Sequence, residues 1–72
     1  MRVPKKEQPQ YNLGDKVKIV KPHLPEWDED FVGKVGKISG YRWDRHGRIA
    51  YIIQLSRDNR VVFYGNEVEP IN

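Results

Sequence analysis

The segment 48–55, RIAYIIQL, is the sequence feature that most constrains the fold, because its side chains alternate over a whole strand length. Large apolar side chains occupy every second position and share one face: Ile49, Tyr51, Ile53 and Leu55. A period of two is that of a β-strand, and no segment of the chain sustains the 3.6-residue period of a helix. The sequence therefore predicts a β protein built around this strand.

Four further strands are predicted around it. The strands are expected at 16–21, 33–42, 60–64 and 68–71, with one turn of 3₁₀ helix at 65–67. Val35 and Ile38 are three positions apart, and a β-bulge at Gly36 would turn both side chains towards the core.

The turn residues connect these strands. Gly47 ends a turn that begins at Asp44, where glycine is free to adopt positive φ, and Asp58-Asn59 fits a tight hairpin. Pro22 and Pro25 end the first strand, and a long loop follows it. The prediction is an all-β domain, a five-stranded small barrel with a short 3₁₀ turn before the last strand.

The chain length allows one small domain. Of the 72 residues, 13–72 form the predicted barrel, and 1–12 (MRVPKKEQPQYN) form a flexible basic N-terminal tail with two prolines. A chain of this size buries only about 60% of its unfolded surface, which leaves little material for a deep catalytic pocket. Oligomeric state stays open.

Several chemistries are disfavoured by the residue content. There is no cysteine, which removes disulfides, thiolate nucleophiles and most zinc sites. The histidines and serines have no triad spacing, and the acidic cluster at 26–30 reads as a solvated loop rather than a cation site. We expect no enzymatic activity, no cofactor and no metal. No apolar run is long enough to cross a membrane, so we expect a cytoplasmic protein.

Aromatic and basic side chains outside the core pattern are the candidate contacts for a partner. Trp27 lies in the long charged loop and Trp43 at a hairpin tip, and neither has an evident core register. The residues predicted to bind a partner are Trp27, Arg42, Trp43, Arg45, His46, Arg48 and Tyr64. A solvated charged turn is the alternative for the arginines. Gly33 and Gly36 spell a GxxG motif, which we interpret as structural glycines.

Three segments carry a family resemblance. Residues 13–19 (LGDKVKI), 31–40 (FVGKVGKISG) and 67–71 (EVEPI) resemble SH3-like barrels of the KOW and translation-protein type. Within that superfamily, Gly33 to Tyr41 and the Phe63-Tyr64 pair look most like PetP-type subunits of cyanobacterial cytochrome b6f complexes. The photosystem I subunit PsaE shares the KVKI segment and a tryptophan in the first loop. Plasmid-type dihydrofolate reductase is similar at 11–17, but Val62 stands where that family has its pore glutamine.

The resemblance implies a non-enzymatic accessory subunit that docks onto a larger protein complex. Its setting would be photosynthetic electron transport, peripheral to the cytoplasmic face of a membrane-bound complex. One alternative is a KOW-like module that binds RNA or the ribosome, although a net charge of +3 is only mildly basic. Another alternative is a reductase-like tetramer.

Overall fold

The computed structural model describes residues 6–22 and 29–71, and these form an all-β fold with five antiparallel strands. The strands are β1 (Lys16–Ile19), β2 (Val35–Trp43), β3 (Ile49–Ser56), β4 (Asn59–Tyr64) and β5 (Val68–Pro70). The 3₁₀ helix predicted before the last strand is confirmed at Gly65–Glu67, and a second 3₁₀ helix, Glu29–Phe31, ends the long first loop. His23, Trp27 and the first part of the acidic cluster lie outside the described residues.

The sheet has the strand order β4-β3-β2-β1-β5, so β3 has neighbours on both sides. Tyr51, at its centre, is opposite Tyr41 of β2 and Phe63 of β4. The same face of the sheet contributes the core, as the alternation in 48–55 predicted. The buried apolar cluster is Val17, Ile19, Ile38, Ile49, Tyr51, Ile53, Phe63 and Val68.

The β-bulge predicted at Gly36 is wrong, because the irregularity in β2 lies between Ile38 and Gly40. Gly36 itself faces the core opposite Val17, and Val35 is 47% exposed on the other face. A Cβ atom at position 36 would lie 2.5 Å from Cγ2 of Ile53. Glycine is therefore required there by close approach of a neighbouring strand, and not by a bulge.

The two hairpin turns differ in how well the sequence places them. Gly47 has φ +79° in the β2–β3 turn, as predicted. The β3–β4 turn is one residue earlier than predicted, at Arg57 and Asp58, because Asn59 already pairs with Ser56. The register of the two strands is irregular just before that turn, between Gln54 and Ser56.

Candidate functional site

Asp44 shapes the β2–β3 hairpin, at which most of the predicted partner-binding residues lie. Its N–H donates to the Arg48 carbonyl at 3.0 Å, and its carbonyl accepts the N–H of Gly47 at 3.0 Å. Its Oδ1 accepts the backbone N–H groups of His46 at 2.8 Å and Arg48 at 3.0 Å. The Arg48 N–H bond, followed by the bonds from His46 and Tyr64, lowers the pKa of this carboxyl. The ionised carboxylate thus holds the turn in one shape.

Tyr64 connects the end of β4 to this turn. Its hydroxyl donates to Oδ2 of Asp44 at 3.2 Å, and the Arg48 guanidinium lies 4.6 Å from the centre of its ring. A guanidinium over an aromatic face is attracted by the ring quadrupole. The backbone N–H of Tyr64 donates to the Glu67 carboxylate at 2.8 Å, so both the main chain and the hydroxyl of Tyr64 are held by hydrogen bonds. The structure therefore brings Arg48 and Tyr64 together, as a shared site requires.

Trp43 lies at the end of β2 and is 36% exposed. Its Nε1–H donates to the carbonyl of Glu7 at 2.9 Å, and the Lys6 ammonium lies 5.1 Å from its ring centre. Tyr41 packs beside it at a centroid distance of 6.2 Å. The polar end of the indole is thus satisfied within the chain, and a part of its ring remains accessible to a partner.

The segment 6–11 lies along β2 and β3, and we call it the strap. The N–H of Glu7 donates to the Gly47 carbonyl at 2.8 Å, and Oε1 of Glu7 accepts the N–H of Ile49 at 2.9 Å. The N–H of Gln10 donates to the Tyr51 hydroxyl at 2.9 Å. The strap is therefore bound to the hairpin and to the central strand by both main chain and side chain.

Tyr11 ends the strap and packs edge-on against Tyr51, with ring centroids 5.0 Å apart. Its carbonyl accepts the Tyr41 hydroxyl at 2.6 Å. Burial, with smaller contributions from nearby Tyr51 and Glu69, raises the pKa of the Tyr11 phenol. The contacts of the strap were missed by the sequence reasoning, and the one signal for them is this aromatic residue within an otherwise polar segment. The flexibility predicted for 1–12 stays a prediction.

Two surface pockets flank the hairpin. One has a volume of about 320 Å³ and lies between the strap and the end of β4, with Glu7, Gln10, Arg48, Tyr64 and Asn66 among its lining. The other, of about 180 Å³, lies on the face of the sheet opposite to the core. Arg42, Ala50 and Tyr64 form a row there, because Ala50 pairs with both of the others.

The six predicted partner-binding residues that the structure describes thus gather at one end of the sheet. Arg45 and His46 are exposed in the turn, and Arg42 is exposed on the adjoining strand. Trp27 lies outside the described residues, so a docking face that combines both tryptophans stays a prediction. Within 6–22 and 29–71, no group of three His, Cys, Asp or Glu residues is placed to hold a metal ion. The same ranges contain no helix long and apolar enough to span a membrane.

No protein-family model, curated protein or solved structure matches this chain.

Proposed function

We propose that this protein is a non-enzymatic docking module, and that the basic hairpin, residues 42–48, contacts an acidic surface of a larger protein. The observation that carries the proposal is the arrangement of Arg42, Arg45 and Arg48 on a turn of fixed shape. The hairpin has three arginines and one aspartate, a formal charge of +2. That aspartate accepts hydrogen bonds from the turn itself and from Tyr64. The arginines are therefore left as the dominant charges for a partner.

Trp43 supplies the apolar component of the same surface. Trp43 is 36% exposed, and it lines the smaller pocket together with Arg42. Aromatic residues and arginine are enriched at the contacts that dominate binding energy, whereas lysine and acidic residues are depleted there. A partner with carboxylates around a shallow apolar recess would fit this combination.

The proposal includes an SH3-like barrel as the scaffold. Its support is the strand order, in which β1 pairs with β5 as well as β2. The long first loop and the 3₁₀ helix before the last strand are also those expected from the family resemblance. The setting that the resemblance implies, the cytoplasmic face of an electron-transport complex, is part of the proposal. Co-fractionation of the tagged chain with that complex in the native host tests the setting.

A charge-reversal comparison tests the docking surface. The tagged chain is used to isolate its partner from the native host, and binding is then measured with the purified partner. We expect Arg42→Glu/Arg45→Glu to weaken binding about tenfold or more, since two favourable charges become repulsive. The matched control is Arg57→Glu/Arg60→Glu, which makes the same change of charge at the opposite end of the sheet and is expected to leave binding nearly unchanged. Equal loss in both variants would refute a localised docking site.

The exposed indole among arginines also favours a second candidate, an RNA-binding module, because bases stack on aromatic rings and phosphates attract arginine. Titration of a labelled single-stranded RNA at rising salt discriminates between the two. Submicromolar binding whose logarithm falls linearly with the logarithm of salt, and which Trp43→Ala abolishes, would favour RNA over the protein partner.

A further inference from the structure

The strap is held on the sheet in the way a bound peptide would be. Glu7 alone makes three hydrogen bonds to the hairpin and the sheet. Its N–H donates to the Gly47 carbonyl, its carbonyl accepts the Nε1–H of Trp43, and its Oε1 accepts the N–H of Ile49. Extended segments that bind to a β-sheet use main-chain hydrogen bonds for affinity and side-chain contacts for selectivity. The hydrogen bond from the Ile49 N–H to the Glu7 carboxylate is the side-chain contact that would give selectivity here.

The strap itself is weakly packed. Residues 6–10 are all exposed, and only Tyr11 is half-buried. Segments with few buried apolar contacts open at low free-energy cost while the core remains folded. The strap can therefore leave the sheet without unfolding of the strands beneath it.

Departure of the strap uncovers a defined set of polar groups. The donors are the Ile49 N–H, the Trp43 Nε1–H and the Tyr41 hydroxyl. The acceptors are the Gly47 carbonyl and the Tyr51 hydroxyl. Groups in a partly buried groove are costly to leave without partners, so the groove favours any chain segment that restores these bonds.

The charge of the strap is poorly matched to its site. Within the strap, the positive charge of Lys6 offsets the negative charge of Glu7, and the strap lies beside a hairpin that carries a formal charge of +2. The ring of Tyr64 and the Arg48 guanidinium line the same pocket as Glu7. A segment that keeps the glutamate and lacks the lysine would be attracted more strongly than the strap is.

We infer that the groove under the strap binds an extended, glutamate-containing segment of a partner protein, and that the strap is its competitor within the chain. The inference rests on the proposed docking function and names the chemistry of the partner. The partner's glutamate takes the place of Glu7 on the Ile49 amide, beside Arg48. Displacement of the strap also frees the Trp43 indole N–H for the partner. Binding through this groove and opening of the strap are then one event.

A peptide probe tests the inference on the full chain. The probe is fluorescein-labelled AAEQPQYN, which keeps the strap residues from the glutamate onwards and replaces the lysines, and its control is AAQQPQYN. Binding is measured by fluorescence anisotropy to the wild-type chain, to Glu7→Ala and to Gln8→Ala, the matched control within the strap. We expect the glutamate peptide to bind Glu7→Ala about tenfold more tightly than it binds the wild-type chain or Gln8→Ala. The glutamine peptide is expected to bind the Glu7→Ala chain about tenfold less tightly than the glutamate peptide binds that chain.

Hydrogen exchange locates the probe. Glu7→Ala is expected to speed exchange of the Ile49 amide, and the glutamate peptide to slow it again. Equal binding to wild-type and Glu7→Ala chains, equal binding of both peptides, or an Ile49 amide that does not respond would overturn the inference. So would a concentration-dependent dimer, detected by light scattering and lost in Glu7→Ala, because the occupant would then be the strap of a second copy.

The outcome is separable from that of the proposed function. Arg42 and Arg45 make none of the strap contacts described above, so Arg42→Glu/Arg45→Glu tests the hairpin surface while the peptide tests the groove. If the peptide fails but partner binding still depends on these arginines, the docking function stands and the groove inference falls. If the peptide binds while charge reversal has no effect on the partner, the hairpin proposal falls and the groove inference stands.

Discussion

At the scale of single residues, Asp44 both closes its own turn and connects that turn to another strand. One carboxylate accepts two backbone N–H groups of its own turn and the hydroxyl of Tyr64, which belongs to another strand. A residue that could be taken from the sequence as an ordinary turn former therefore also fixes the angle between the hairpin and the end of β4. The arginines on the turn depend on it for their placement, although they are the residues that would meet a partner.

The lowered pKa of Asp44 predicts a pH dependence of stability. The folded state favours the ionised form, so the stabilisation is complete above the ordinary carboxyl pKa of 3.8 and is lost as pH falls below it through the lowered folded value. Asp44→Asn cannot ionise and should lack this dependence. The check is urea unfolding of both chains between neutral pH and about pH 2. The difference in free energy of unfolding should shrink on acidification, and a constant difference would contradict the assignment.

At the scale of elements, the strands were predictable and the strap was not. Strand β3 follows from strict alternation, and the 3₁₀ helix Gly65–Glu67 from the glycine and polar residues between two apolar runs. The strap has no hydrophobic period, and its contacts are made by polar groups whose partners lie thirty or more residues away. Periodicity reports which face a side chain takes, and it carries no information on such long-range polar contacts. The prediction of a bulge at Gly36 was wrong for a related reason, because the close contact that requires glycine there is made by Ile53 of another strand.

The strap should respond to loss of a single hydroxyl. Tyr51→Phe keeps the buried ring but removes the acceptor for the Gln10 N–H. We expect exchange of the Gln10 amide to become faster while amides of β3 stay protected, with a loss of stability of about 0.5–1.5 kcal/mol. Tyr41→Phe, which removes the bond to the Tyr11 carbonyl, is the companion variant. Uniformly faster exchange across the sheet would show instead that the strap is integral to the fold.

At the scale of the whole molecule, stability depends on very few side chains. Within residues 6–22 and 29–71, eight buried residues form the apolar cluster, and β3 supplies three of them. A domain of this size has a free energy of unfolding of about 4–11 kcal/mol. One core truncation in β3 is therefore a large fraction of the total, whereas the polar end that carries the candidate site can vary at little cost.

The contrast between Ile53 and Val62 measures this dependence. Ile53 is fully buried at the centre of the sheet, and Val62 is 38% exposed on edge strand β4. Ile53→Ala should lower the free energy of unfolding by about 2–5 kcal/mol, because it leaves a cavity in a close-packed core. Val62→Ala should cost less than about 1 kcal/mol. Urea titration followed by circular dichroism gives both values, and similar losses would show that the core is not concentrated on β3.

The pairing of β1 with β5 also governs the order in which the sheet can be completed during protein synthesis. Of the five described strands, the first to be synthesised shares one of its edges with the last to be synthesised, and Val17 lies opposite Pro70 in that ladder. Until residues 68–70 have been made, the N–H and C=O groups along that edge of β1 have no strand to pair with. A nascent chain in this condition presents a template on which other nascent chains can pair. The short length of β1, four residues, limits that hazard.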